Sequence, residues 1–340
     1  MLLSMRLTRV FAVCLLFSGI LLRAQEDSTL DAQLKAIAAA HHGKVTLFAH
    51  HLKSGQTAAL MPDELVQTAS VIKLGILLDA AEQIRAGKAS LSERLVLEKP
   101  NQVGGSGVLG ILDTPLNLTL RDTLTLMVVL SDNTATNLAI DRLGLAHIDD
   151  TLKAAGLKDT FLYKKVFLPP AGPMPADQPK FGLGKTTARE MAAVMERLAT
   201  CRLALDGTPA LPGDGAICGA MLHMLRGQHD RNSLPRYIET LDTSEHGPAI
   251  GNKTGALNAV RNDVAIIATK AGPVVIAAFT QDNADQRWTG DNEAEETLGK
   301  LAKAIVDRWS PAGLDADGFG WDDPLAKAAP GKTAPAKARP

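Results

Sequence analysis

The sequence predicts a mixed α/β chain: an antiparallel five-stranded sheet flanked by helices, with an all-α lobe inserted between the two parts that build the sheet. Three observations carry this expectation. Strand-like apolar runs are confined to the two ends of the chain, helical periodicity fills the middle, and turn-rich breaks separate the segments.

Taken in order, residues 44–61 ("KVTLFAHHLKSGQTAALM") read as two strands around a Lys53-Ser54-Gly55 turn. Residues 71–86, 120–130, 134–143, 187–199 and 219–225 repeat apolar positions at the three-to-four spacing of a buried helix face. Three further strands lie in "PAIGNKTGA", "NDVAIIATK" and "PVVIAAFTQ", with Lys270 to Pro273 as a tight turn. Helices over 30–40 and 294–309 flank the strand blocks. The expected organisation is a split α/β domain (25–69 and 247–310), a helical domain (70–246) and a tail (311–340) whose Pro, Ala and Lys content predicts disorder. A cleft between two such parts is a favoured place for a site.

Residues 1–24 stand outside the fold. Arg6 and Arg9 precede the apolar run "VFAVCLLFSGILL", and Ala24 is a small residue at a plausible cut. The run is short of the about 20 residues a membrane span requires. It predicts a signal peptide, export to the periplasm and no stable membrane insertion after processing. Export leaves Cys201 and Cys218, and the turn-rich "LDGTPALPGDGA" between them can close a disulfide; two separate buried thiols are the alternative. A formal net charge of −1 offers no basic surplus for nucleic acid. The partner expected is a small molecule, met by a monomer.

The chemistry starts with Lys73, set among Val71, Ile72, Leu74, Ile76, Leu77 and Leu78. Burying an unpaired ammonium is costly, so such a lysine needs partners or a lowered pKa. Ser70-Val71-Ile72-Lys73 is the only S-x-x-K in the chain, Ser131-Asp132-Asn133 falls between two predicted helices, and Lys253-Thr254-Gly255 lies on a predicted strand. S-x-x-K alone is a weak signal; the ordered trio is a strong one.

Together with the blocks "VGGSGVLG", "LTLMVVLSDNTATNLAIDRLG", "TTAREMAAVMERLA" and "NKTGALNAVRNDVAII", the trio resembles the class A β-lactamase-like serine hydrolases, from about residue 30 to 309. The resemblance implies the β-lactamase/transpeptidase-like fold, with Ser70 as acylated nucleophile on a β-lactam or peptidoglycan-like substrate. A neutral Lys73 serves as base, and Ser131 relays a proton between Lys73 or Lys253 and the leaving nitrogen. Asn133 holds Lys73 and a substrate amide, and Thr254 with Lys253 holds a substrate carboxylate. The backbone N–H groups of Ser70 and Ala256 form the oxyanion hole. Asp132 braces its loop and Gly255 completes the strand motif. Arg261 is a further candidate for the carboxylate, one position short of the commonest class A spacing from Lys253.

One departure is specific. Class A enzymes carry a glutamate, on a loop before the "TTAREM" helix, that activates the deacylating water. Here residues 156–187 contain no glutamate, and Lys165-Val166-Phe167 stands near its place. Three outcomes stay open: another group activates water, the acyl-enzyme persists as in penicillin-binding proteins, or acyl transfer serves a D-Ala-D-Ala-like substrate. A non-catalytic β-lactam-binding protein is a further alternative. "FGLGKTT" fails as a phosphate loop because Pro179 stands where glycine is required, and Thr186 or Thr187 reads as a helix cap. His41-His42 and His50-His51 lack acidic or thiol companions and read as surface histidines, so no metal or cofactor is implied.

Overall fold

The protein is described from a computed structural model, which covers residues 28–205, 207–238, 248–316 and 318. The expected signal peptide, and the tail from residue 319 on, lie outside these described residues.

The chain enters through helix α1 (Ser28–Ala39), then strands β1 (Lys44–His51), β2 (Thr57–Leu60) and the two-residue β3 (Val66–Gln67). A 3-10 turn (Ala69–Ile72) runs straight into α2 (Lys73–Arg85). A hairpin of β4 (Arg94–Leu97) and β5 (Leu116–Thr119) follows. Helix α3 (Leu120–Val129) opens on a capping box, in which Thr119 accepts from the Asp122 amide and Asp122 accepts from that of Thr119. Then come α4 (Asn133–Leu143), α5 (Leu145–Ala154), β6 (Phe161–Leu162), the short α6 (Gln178–Phe181) and β7 (Gly184–Thr186). Helix α7 (Ala188–Ala199) is capped by Thr187, as the sequence predicts, and α8 (Asp214–Arg226) follows it. Strands β8 (Ile250–Leu257), β9 (Val260–Ile267) and β10 (Val274–Gln281) and helix α9 (Glu293–Trp309) complete the order.

The main sheet runs β2-β1-β10-β9-β8, all antiparallel, so the two chain ends meet where β1 pairs with β10. Strand side chains alternate between its faces. On one face Ala265, Ile267, Ile276 and Ala278 pack with Leu30 and Leu34 of α1 and Leu298, Leu301 and Ile305 of α9. On the other, Val264, Ile266, Val275 and Phe279 join one continuous core with α2, α7 and α8.

That second core ties the middle of the chain to the main sheet. The middle is not purely helical. It contributes the β4-β5 hairpin and a three-stranded sheet, β3-β7-β6, and its helices bury their apolar faces directly against the main sheet. These strands have two to four residues, too few for alternation to mark them. Helix α5 was likewise not expected. The tail begins later than predicted: Leu314 bridges Thr269, and the Asp315 amide donates to Ala268 O at 3.0 Å, so residues 311–316 belong to the sheet end. The histidines also depart from expectation. His41 and His51 are buried, the first 2.9 Å from Asn283 Oδ1 and the second edge-on to Trp309.

Cys201 and Cys218 are bridged, with Cα atoms 5.6 Å apart, tying the loop after α7 to α8. Closing this loop in the unfolded chain removes conformational entropy equivalent to about 3 kcal/mol. A Cys201→Ser/Cys218→Ser double variant is expected to lose roughly that much stability in urea unfolding. An unchanged midpoint would show that the bridge adds nothing.

Candidate active site

The site forms where the edge strand β8 lies against the 3-10 turn at the head of α2. Side chains three apart eclipse on a 3-10 helix, so Ser70 and Lys73 share one side. Gly255 lets the strand approach: an added Cβ would lie 2.8 Å from Thr68 O, 2.8 Å from Val71 N and 2.9 Å from Ser70 N. Asn262, opposite Gly255 on β9, locks the contact by donating to Gln67 O at 2.8 Å and Thr68 O at 3.2 Å.

The third segment comes from the α3–α4 break. Asp132 caps α4 by accepting the Ala135 amide at 2.8 Å through one oxygen. Its other oxygen accepts the Val108 and Leu109 amides at 2.7 and 2.8 Å. These bonds brace its loop. Ala69, beside the nucleophile, and Ser131 both adopt left-handed conformations, with φ of 45° and 53°. Such positions cost about 1–3 kcal/mol each and persist only where surroundings impose them.

Lys73 is fully buried, and its Nζ meets Ser131 O at 2.7 Å, Ser131 Oγ at 3.1 Å and Asn133 Oδ1 at 3.1 Å. Lys253 is equally buried and donates to Ser131 Oγ at 3.0 Å and Thr254 O at 2.6 Å. Two amines therefore share one hydroxyl. Burial first, and then the charge of Lys253, drives the Lys73 pKa well below 10.5, although Asp132 opposes this. Burial lowers Lys253 to about 8, with Asp263 and Asp230 holding it up. The consistent proton map has Lys253 as ammonium donating to Ser131 Oγ. The Ser131 hydroxyl in turn donates to the lone pair of a neutral Lys73, whose own N–H groups face Ser131 O and Asn133 Oδ1.

Lys73 Nζ makes no hydrogen bond to Ser70 Oγ among the described residues; its contacts go to Ser131 and Asn133. Catalytic hydrogen bonds often tighten only when substrate is bound. Asn133 does hold Lys73, while its amide nitrogen reaches Gly104 O at 3.1 Å. Thr254 and Ala256 border the cleft beside Ser70.

Arg261 does not meet its expectation. It is 2 % exposed and gives its guanidinium to the carbonyls of Leu257, Val260 and Arg287 and, 3.3 Å away, to Glu295. Its spacing selected the right strand, but its side chain turns toward α9 rather than the cleft.

At the position of the absent glutamate, Asn137 receives the Val166 amide at 2.8 Å and donates to the Val166 carbonyl at 3.1 Å. Lys165 pairs with Asp141, and Val166 and Phe167 face the cleft. Asp177 is engaged by Lys185 and Tyr163. No carboxylate among the described residues borders this side. Sequence reading missed the Asn137 clamp, although Asn133 and Asn137 four apart on α4 must share a face. It also missed Trp288, which no motif marks.

A family model described as the beta-lactamase enzyme family matches residues 29–309. The chain belongs to that family. It is similar to a beta-lactamase from Sphaerobacter thermophilus DSM 20745, with 30% identity, a TM-score of 0.69, and coverage of 81% of this chain and 95% of that one. A mutant of PBP-A, solved as an acyl-enzyme complex with penicillin-G, shares the fold at 21% identity and TM-score 0.69, covering 84% of this chain and 97% of that one. So does a beta lactamase from Xanthomonas campestris pv. campestris str. ATCC 33913, at 18% and 0.66, covering 82% and 97%. A search of curated proteins returned no match. The fold is therefore the β-lactamase/transpeptidase-like one, and the beta-lactamase family motifs occupy a single cleft.

The tightness of the Gly255 contact gives a test. Gly255→Ala must push β8 away from the turn, and displacement of about 1 Å in a reacting constellation costs about 100-fold in rate. Reaction at Ser70, followed with a reporter β-lactam, is expected to fall by that order. A rate within twofold of the parent would refute the packing argument.

Proposed function

We propose that the protein is an exported serine hydrolase of β-lactamase type, opening the β-lactam ring through an acyl-enzyme on Ser70. The observation that carries this reading is the pair of buried amines sharing Ser131 Oγ beside Ser70. A serine hydroxyl is a poor nucleophile until a base takes its proton, and a buried neutral amine is such a base.

The steps follow from the proton map. Ser70 Oγ attacks the lactam carbonyl carbon while its proton passes to Lys73. The Ser70 and Ala256 amides hold the developing oxyanion, each such donor being worth about 3 kcal/mol. As the C–N bond breaks, Lys73 returns the proton to the nitrogen through Ser131, restoring the neutral amine. Lys253 and Thr254 hold the substrate carboxylate. Water then attacks the ester carbon; with no carboxylate on the Phe167 side among the described residues, its proton goes to Lys73, which hands it to Ser70 Oγ as the ester C–O bond breaks. That single base serves both half-reactions. The arginine- and leucine-rich N-terminus supports processing after Ala24 and a periplasmic setting.

Intact-mass spectra of the mature protein mixed with a penicillin are expected to show an adduct that decays as product appears, and none in Ser70→Ala. A permanent adduct would favour the penicillin-binding alternative; no adduct would remove the enzymatic reading.

The acylation constant is expected to follow a bell-shaped pH profile. It rises as Lys73 loses its proton, below 10.5, and falls as Lys253 loses its own at about 8. Lys253→Arg keeps the cation at all working pH, so the falling limb should vanish. A limb that stays near 8 in that variant would assign it to another group.

A further inference from the structure

Arg261, the cation expected beside Lys253 for the substrate carboxylate, turns away from the cleft toward Arg287 O and Glu295. An acid stands in the arm it leaves. That arm, of about 260 Å³ beside Ser70, is bordered by Ser131, Thr254, Gln228, His229 and Asp230. Lys253 Nζ meets its edge, 3.0 Å from Ser131 Oγ. On the acyl-enzyme reading, on which this inference rests, the leaving nitrogen and the carboxylate next to it enter this arm.

Asp230 is held at the wall by bonds on both sides. Buried Gln228 donates to Val128 O at 2.8 Å and accepts the Asp230 amide at 3.0 Å. The His229 amide donates to Val129 O at 3.2 Å, and Asn252 Nδ2 reaches Asp230 O at 3.4 Å. These contacts tie the backbone of the segment to the end of α3 and to β8. The half-buried carboxylate accepts the Asn232 amide at 3.1 Å through one oxygen, and it enters no ion pair among the described residues. Its charge is felt by three buried or half-buried groups. Burial lowers Lys253 and raises Asp263 and Glu295, and Asp230 opposes the fall and adds to both rises.

The charge count decides what fits. In the free cleft the Lys253 ammonium answers Asp230. A substrate brings its own carboxylate, so two anions then face one lysine in a recess from which the substrate displaces water. Like charges there repel more strongly than in bulk water. A positive group on the substrate, close to its carboxylate, restores the balance.

We infer that Asp230 is a specificity residue that selects substrates whose leaving side carries a cation. Among β-lactams, that class is the cephalosporins with a cationic substituent on the ring carbon next to the one bearing the carboxylate.

The test uses two cephalosporins with the same thienylacetyl group on the acyl side. One carries a 3-pyridiniummethyl group and the other a neutral 3-acetoxymethyl group. Second-order acylation constants are measured by intact mass after rapid quench at about pH 7. Each is divided by the compound's own rate with hydroxide, which removes the difference in ring reactivity. The parent is expected to favour the pyridinium compound about fivefold, the size of one partly screened charge pair. Asp230→Asn keeps an acceptor for the Asn232 amide and should bring the ratio near one, while Asp230→Glu should retain part of it. Salt at about 1 M, where the screening length is about 3 Å, should shrink the parent ratio and leave that of Asp230→Asn unmoved. The ratio is read because a weaker Lys253 charge in Asp230→Asn slows both compounds together. A parent ratio near one, a ratio unmoved in Asp230→Asn, or one that falls only in His229→Gln overturns this inference and leaves the acyl-enzyme reading standing. Absence of adduct with both compounds ends that reading and this inference with it.

Discussion

Two lysine amines with no access to water meet at a single hydroxyl, and the rest of the site is arranged around that fact. In a medium of low dielectric, two like charges this close cannot both persist, so one amine must give up its proton. The surroundings decide which. Lys253 has Asp263 and Asp230 at its back, whereas the one acid supporting Lys73 is Asp132, whose oxygens already receive three backbone amides. Asymmetry among distant carboxylates thus becomes a base on one side of Ser131 and a cation on the other.

Holding this arrangement needs an edge strand that does not move. Strand β8 is fastened from behind as well as in front. Asn252 donates to both oxygens of buried Asp263 at 3.0 Å and accepts from Arg231 at 2.8 Å, while the Leu234 amide also donates to Asp263 at 3.0 Å. Burial raises Asp263 to about 7, and the neighbouring charge of Asp230 adds to this, against the hydrogen bond from Asn252. In front, the Gly255 contact and the Asn262 bonds fix its distance from the 3-10 turn. The strand's free edge therefore faces the cleft under control from both sides.

Much of this was legible in the sequence because its signals are local. The five strands of the main sheet and seven of the helices follow from periodicity and turn signals, and the three motifs from spacing within three or four residues. What escaped depends on relations that spacing does not encode. Arg261 lies on β9, one residue before the predicted run, and its rotamer is decided by Glu295 and Trp288, far along the chain. The short strands β3 to β7 lack the adjacent long strand and turn that marked β2, and His41 reads as polar until Asn283 arrives to satisfy it. The packing of α2, α7 and α8 on the main sheet was hidden for a related reason: amphipathic helices announce that they bury a face, and not what they bury it against.

The double bond of Asn137 to the amide and carbonyl of Val166 grips backbone alone. It fixes the path of the chain without reference to the side chains at 166 and 167. That stretch is a socket whose outline is held by a residue elsewhere, so the occupants of its positions are interchangeable parts. A substitution there changes the chemistry presented to the cleft while the Asn137 bonds keep the backbone path.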